Sequence, residues 1–448
     1  MTRDFEDSTY AKIARRILPL LFAGYFLAIL DRVNVGFAKL QMADELGLSD
    51  SVYGFGAGVF FIGYFLFEVP SNLILARVGA RRWIARIMLT WGAVSAAFAL
   101  LGALRWGALA TTLGLTDAEL SFYALRFALG LAEAGFFPGV ILYLTYWFPA
   151  RRSAHVIALF VLAIPLASAV GAPLSGLILQ GLDGAEPRGW QWLFLLEALP
   201  AILLGLIVLA KLPDGPNEAP WLTGRERKLV ATRLAEDRAA QPADSRRHDF
   251  ASIFRDWRVW ALALADFLRA TINNVLNFWM PTLVQDLGIP KGAYLEVGLV
   301  TAIPWGIAAA TMVVIARHSD RTGERRWHAT LSLLVSAIGL LLLACAGHSP
   351  VLSVFALTLV ALGAMAWLAV FWTLPTAFLS GAAAAGGIAW INALSQLGGF
   401  VGPDMLGRVR AGNAGDNTIA FLILAACALI AAGLTVVLAR PAVEPSAA

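Results

Sequence analysis

From Ile17 onward the chain alternates apolar runs with short polar turns, and the runs are about 20 residues long, the length at which a helix crosses a bilayer. Twelve such runs are predicted, over 17–37, 52–75, 83–104, 119–147, 154–180, 190–212, 257–284, 293–316, 328–346, 350–373, 384–407 and 416–439. Inside hydrocarbon every backbone N–H and C=O needs an internal partner, so each run is predicted to be a helix. One long polar interruption, 213–256, divides the runs six and six, and its middle alternates charge signs in the manner of a solvent-facing helix. The expected fold class is an all-α membrane protein of 12 transmembrane helices. Its predicted parts are an N-terminal six-helix bundle (1–212), a linker (213–256) and a C-terminal six-helix bundle (257–448).

The halves echo each other. RVGARR (77–82) follows run two and DRTGERR (320–326) follows run eight; VGAPLSG (170–176) in run five corresponds to VGPDMLG (401–407) in run eleven; YWFP (146–149) ends run four and WTLP (372–375) ends run ten. Three echoes in one order, at an offset of roughly 225 to 245 residues, point to a duplicated six-helix unit and two pseudo-symmetric bundles, with a substrate site at mid-membrane where the halves meet.

Composition narrows the function. Hydrophobic residues make up 59% of the chain and charged ones 14%, against about 25% charged in soluble domains. Two cysteines, Cys345 and Cys427, both lie in apolar runs, so neither a disulfide framework nor a metal site is expected. A net charge of +4 gives no reason to expect a nucleic-acid partner. Basic residues collect at turns on one side: Arg15 and Arg16, Arg77 to Arg86, Arg151 and Arg152, the linker, and Arg317 to Arg326; Arg408 and Arg410 are the exceptions. That side is therefore expected to be cytoplasmic, with both termini inside. The first residues read as a retained tail, not a cleaved signal peptide. A membrane-embedded enzyme is the reading from another class, but the sequence has no H-E-x-x-H, no clustered Cys/His ligands and no nucleophile–base pair at useful spacing, and the five histidines lie at loops or run ends.

Charges inside the runs are the candidates for chemistry. Run four carries Arg126 and Glu133, seven residues apart, which places them on one helix face about 10 Å apart along the axis. Charge at mid-bilayer is costly and normally faces the bundle interior with a partner. Arginine keeps its proton and its planar fork suits a carboxylate, whereas glutamate can become neutral. Two readings follow: Glu133 is a proton switch that frees Arg126 for a substrate carboxylate, or the two are a permanent pair that fixes helix packing. Asp31 and Arg32 are adjacent in run one and point about 100° apart, so they cannot share a partner. Run seven holds Asp266 and Arg269 at i and i+3, with Asn273, Asn274 and Asn277 beyond; the pair either offers a second cation to an anion or closes one end of the bundle. Run eleven offers Asn392 and Gln396 one turn apart, able to bind hydroxyls or to link helices.

The turn DRTGERR resembles the signature loop of the major facilitator superfamily, and its partner turn has Ala76 where the general motif has Asp. That departure resembles the anion:cation symporter branch. LDRVNVGFA (30–38), GYFLFEVPSNLILARVGARRW (63–83), RFALGLAEAGFFPGVILYLTYWFPARR (126–152), PLSGLIL (173–179), GWQWLFLLEALPA (189–201) and PDGPNEAPWLTGRER (213–227) are similar to that branch too, across nearly all of the N-terminal half. The C-terminal half agrees in layout. The resemblance implies a bacterial inner-membrane transporter of organic acids such as tartrate, phthalate, 4-hydroxyphenylacetate or sugar acids, a monomer in lipid that is driven by the proton gradient and has no cofactor. It implies substrate contacts at Arg126, Tyr64 and Asn392 and proton coupling at Glu133 and Asp31; Arg32, Gln396 and, where run seven departs from the branch's less charged pattern, Arg269, Asn273 and Asn277 are candidate substrate contacts read from the residues themselves. Gly79, Arg81, Arg82, Asp320, Gly323, Arg325 and Arg326 would be conformational locks that tie the two helix ends of each half in the outward-open state. VGAPLSG partly resembles a motif of antiporters, so an efflux antiporter of the same fold is the alternative.

Overall fold

The computed structural model of the chain describes residues 3–149, 152, 156–157, 160–240, 254–347, 349–375 and 381–438. Arg151, His155, His248, His348, linker residues 241–253 and the C-terminal residues 439–448 lie outside the described residues. The N-terminal half contains α1 (Arg3–Leu46), α2 (Asp50–Val78), α3 (Ala80–Ala97), a short α4 (Ala108–Thr112), α5 (Asp117–Glu133), α6 (Phe136–Thr145), α7 (Ala163–Gly181) and α8 (Gly189–Lys211). A linker helix, α9 (Gly224–Ala240), follows. The second half contains α10 (Trp257–Gln285), α11 (Tyr294–Thr322), α12 (Arg326–Cys345), α13 (Pro350–Phe371), α14 (Gly381–Gly412) and α15 (Thr418–Leu438).

Among the described residues ten helical segments are long and apolar enough to cross a membrane. The two remaining predicted spans, α10 and α14, are 29 and 32 residues long but are diluted by polar side chains, including Asp266, Arg269 and three asparagines in α10. Bilayer-crossing helices with large apolar side chains turned outward, such as Leu203 and Ile207 of α8 and Leu341 of α12, are what a multi-pass membrane protein requires.

The two halves repeat one packing scheme. In the first, α1 packs on α7 and α8, α2 on α5, and α3 on α5 and α8; in the second, α10 packs on α14 and α15, α11 on α13, and α12 on α13 and α15. The halves meet along α2–α14, α7–α11 and α1–α10.

Glycines set how close the halves come. A Cβ on Gly54 would stand 2.4 Å from the Pro403 carbonyl oxygen, and one on Gly407 would stand 2.4 Å from that of Asp50, so backbone lies on backbone. Gly176 and Gly298 play the same part between α7 and α11. All four lie toward the membrane face away from the linker, the far end. A charge cluster sits there too. Lys39 donates to Asp50 at 2.7 Å and to Thr282 at 3.4 Å, and Arg410 reaches Asp50 at 3.0 Å and Asp286 at 2.8 Å. Both cations also lie over the Trp279 ring, at 4.1 and 5.5 Å. The far end is thus shut by packing and by alternating charges drawn from both halves.

The linker end is built differently. α1 begins at Arg3, fourteen residues before the predicted run, because its polar first turns are held by the linker helix. Lys12 pairs with Glu226 at 2.9 Å, Arg233 with Glu6 at 2.6 Å, and Arg152 with Asp7 at 2.6 Å. Trp147 and Trp221 stack with centroids 5.7 Å apart. The linker segment is therefore anchored to the first half.

Gly407→Ala should open the far end, since the added methyl has backbone against it. The expected outcome is faster hydrogen exchange in residues 50–58 and 403–410 with an unchanged helical circular dichroism spectrum.

Candidate substrate and proton site

A cavity of about 110 Å³ lies between the halves. Arg32, Tyr64 and Glu133 reach it from the first half; Asp266, Arg269, Asn273, Asn277, Asn392 and Gln396 reach it from the second. Ile29, Phe61, Phe136, Phe137, Met365 and Leu368 supply apolar wall. The two spans left out by the apolar criterion, α10 and α14, thus turn polar side chains toward it.

Each half contributes one arginine–carboxylate pair. Arg32 of α1 donates to Glu133 at the end of α5. Arg269 donates to Asp266 at 2.8 Å, one helical turn away on α10. In the repeated scheme α10 occupies the place of α1, so the two cations sit on equivalent helices. Arg32 also lies over the rings of Phe60, Phe61 and Tyr64, at 5.0, 5.8 and 5.5 Å, and Arg269 lies over Trp367 at 5.6 Å. Ring faces and a carboxylate together replace the water that a guanidinium gives up on burial. The arrangement presents two fixed cations to one polar space, each neutralised by a group that protonation can discharge.

The expected partnership of Arg126 and Glu133 needs correction. Both are on α5 and both are buried, but Glu133 meets Arg32, and Arg126 turns away from the cavity. Arg126 donates to the Ala57 carbonyl at 2.9 Å and the Gly56 carbonyl at 3.4 Å, between the rings of Phe60 (4.9 Å) and Phe278 (5.3 Å). Seven residues align two side chains on a face but leave them at different depths, so each finds the neighbour at its own level. Phe278 belongs to the opposite half, so in this arrangement Arg126 is covered by the seam.

Nor is predicted run four one continuous helix. It breaks just after Glu133: Ala134 is extended, Gly135 has φ +85°, and α6 starts at Phe136. Pro138 has no N–H to offer the Ala134 carbonyl, and a Cβ on Gly135 would stand 2.2 Å from the Ser71 hydroxyl. The break sets Glu133 at a helix end facing α1. The sequence signal was present in Gly135 and Pro138, three residues apart.

Asp31 and Arg32 diverge. Arg32 faces the cavity, while Asp31 is buried behind it, accepting from Ser95 of α3 and from Asn34 at 3.5 Å. Tyr64 is 3% exposed and forms wall. Asn392 donates to Glu68 of α2 at 2.8 Å, a tie across the halves toward the linker end. Asn274 also lines the cavity, as do Tyr25, Ser395 and Trp372, which were not singled out from the sequence; Tyr25 stacks on Phe160 with centroids 4.5 Å apart.

The expected lock residues stay within their own halves among the described residues. Gly79, at φ +96°, ends α2, and the Arg81 backbone N–H donates to Asp214, just beyond α8, at 2.7 Å. Arg82 is exposed. In the second copy Asp320 pairs with Arg325 at 2.7 Å, Gly323 caps α11 at φ +70°, and Arg326 lies over Trp327. The expected tie belongs to an outward-open state; here the far end is shut, and each turn closes on itself or on its own bundle.

Residues 21–403 match the sequence profile of the Major Facilitator Superfamily. The chain belongs to that superfamily. This facilitator is 46% identical to a putative tartrate transporter of Agrobacterium vitis over 99% of its own length and 98% of the relative's. It is 40% identical to a quinolone resistance transporter of Acinetobacter baumannii, over 91% and 89% of the two chains. In fold the facilitator is similar to the crystal structure of a D-xylose–proton symporter, with a TM-score of 0.73 and 18% identity over 94% of this chain and 96% of that one. Its family and relatives are transporters, not enzymes.

Gly135→Ala forces a methyl into a left-handed backbone position against Ser71. The expected cost is about 1–3 kcal/mol from backbone strain alone, read as a lower thermal midpoint of the detergent-purified protein; Gly288→Ala, also at positive φ but with open space around it, should cost less.

Proposed function

We propose that this facilitator takes up a small organic anion together with protons, and that a hydroxylated dicarboxylate of the tartrate type is its substrate. The observation that carries the reading is the pair of arginine–carboxylate contacts, Arg32–Glu133 and Arg269–Asp266, that line one cavity from opposite halves. Two guanidiniums suit two carboxylates, and the amides of Asn273, Asn277, Asn392 and Gln396 suit hydroxyls between them. The cavity volume of about 110 Å³ is far below the roughly 300–1,000 Å³ of pockets that hold drug-sized ligands. The Agrobacterium vitis relatives, named as putative tartrate transporters, support the same substrate class.

The cycle follows from charge. With Glu133 ionised, Arg32 is satisfied by its own bundle. A proton on Glu133 releases the guanidinium, and the substrate carboxylate takes the vacated place. Transport then consists of opening the far-end seam while the linker end closes, which uncovers Arg126 from Phe278 and brings it to the substrate. Asp31 is the second proton site. The linker end is the cytoplasmic end, with both termini inside at the inner membrane, and the proton gradient supplies the energy.

Export in exchange for protons is the second reading, favoured by the antiporter-like VGAPLSG in α7 and by the quinolone resistance relative. Proteoliposomes separate the two. Symport requires that an inward proton gradient drive accumulation of labelled tartrate; expulsion of preloaded anion under that gradient identifies antiport. Glu133→Gln should abolish gradient-driven accumulation and keep exchange of preloaded substrate, because a permanently neutral partner leaves Arg32 free. Arg269→Ala should weaken exchange of a dicarboxylate at least tenfold, consistent with roughly 1.5–3 kcal/mol for a charged hydrogen bond. Equal loss of accumulation and exchange in Glu133→Gln would mark a structural pair.

A further inference from the structure

Glu197 lies in the middle of α8, within the most lipid-like stretch of the first half, and is 3% exposed. The Ser175 hydroxyl of α7 donates to its Oε1 at 2.8 Å, and its Oε2 is buried without a hydrogen-bond partner. α8 packs on α1, α3 and α7. The polar groups that bear on Glu197 from these helices are Ser175 of α7 and Asn34 and Asp31 of α1. None is a cation. A buried carboxylate with no positive partner is among the costliest states a bilayer protein can hold, and a proton removes that cost.

Asn34 is wholly buried and stands between two such carboxyls. Its amide nitrogen donates to Asp31 at 3.5 Å, its side chain also faces Glu197, and its Oδ1 has no partner. Asp31 in turn accepts from Ser95, its Oδ2 has no partner among the described residues, and its charged neighbours are Glu133, Arg126 and, beyond Asn34, Glu197. Three buried oxygens without a hydrogen-bond partner among the described residues, on Asp31, Asn34 and Glu197, thus lie along one polar chain. A carboxyl that carries a proton has the O–H to donate to the orphan amide oxygen, while the amide N–H₂ donates to the ionised carboxylate at the other end. Rotating the amide by half a turn exchanges the two ends, and the assignment of its oxygen and nitrogen follows the proton.

We propose that Glu197 is a third proton-binding carboxyl of the transport cycle, sharing one proton with Asp31 through the Asn34 amide. Glu197 is a positioning residue. It is walled off from the substrate cavity and acts by setting when Asp31 takes up or gives up its proton, which passes onward to water at the cavity. This assignment rests on proton-coupled transport.

Two measurements on the full chain test it. The first needs neither substrate nor gradient: infrared titration of the purified protein should show a protonated-carboxyl C=O band that is absent in Glu197→Gln. The second is the pH profile of gradient-driven tartrate accumulation in proteoliposomes. Glu197→Gln removes the competing negative charge beside Asp31, so Asp31 should release its proton more readily and the midpoint should move down by about one pH unit, a tenfold change in proton affinity. Asn34→Leu keeps both carboxyls but severs the bridge, and it should also move the midpoint; it serves if Glu197→Gln is not recovered folded. An infrared spectrum unaltered by Glu197→Gln, or a midpoint unmoved in both variants, overturns the proposal. A wild type that accumulates nothing under a proton gradient overturns symport, while the infrared result still decides whether Glu197 binds the proton.

Discussion

An arginine inside a bilayer cannot escape its charge, so its surroundings must be built to keep it. Three arginines in the spans meet that demand in three ways. Arg32 takes a carboxylate from another helix of its bundle, Arg269 takes one from the next turn of its own helix, and Arg126 takes two backbone carbonyls and two ring faces. Only the first two solutions use a partner that a proton can discharge, and these two face the cavity. Breaking such a pair by removing one partner leaves an uncompensated charge worth about 3–5 kcal/mol. Under the proposed coupling, a substrate carboxylate that arrives as the proton does avoids that state.

The same economy governs the seam. Backbone contact at Gly54 and Gly407 brings α2 and α14 close enough for Arg410 to reach Asp50 across the halves, and Lys39 adds the other side of the alternation. Tyr53 donates to the Phe278 carbonyl at 2.8 Å in the same region, and the Phe278 ring covers Arg126. Closure of the far end and concealment of Arg126 are therefore one event. At the linker end the corresponding tie among the described residues is the Glu68–Asn392 contact, and neither of its members carries a positive charge. The far end is thus held by ion pairs drawn from both halves and the linker end by a neutral-amide contact.

Much of this was legible in the sequence, and what was not has physical causes. The membrane-spanning helices were readable because bilayer thickness imposes a length on every span. The Asp266–Arg269 pair was readable because i and i+3 neighbours are fixed by helix geometry alone. The partner of Glu133 was not, because it depends on how α1 packs against α5, a matter of tertiary structure. The break after Glu133 was hidden by the apolar character of FFPGVILYLT, although Gly135 and Pro138 marked it. The early start of α1 escaped because its first turns are stabilised by the linker helix, more than 200 residues away in sequence. Glu197 stood in a quoted motif without a role, since nothing near it in sequence shows that its neighbours in space lack a cation.

Charge counting across the cavity links the fold to the proposed coupling. Arg32 with Glu133 and Arg269 with Asp266 sum to zero. A monoanion that displaces Glu133 restores neutrality if one proton enters with it. A dianion that engages both guanidiniums adds two negative charges, and neutrality then requires two protons, one for Glu133 and one for a second acid. Asp266 can accept it at the cavity wall, but it would then give up the contact that holds Arg269 in place. Asp31, behind the wall and shielded by Ser95 and Asn34, can accept it with no loss of cavity geometry. The two acids of the first half, one exposed to the substrate and one screened from it, therefore form the more economical pair for carrying a dicarboxylate across as a neutral load.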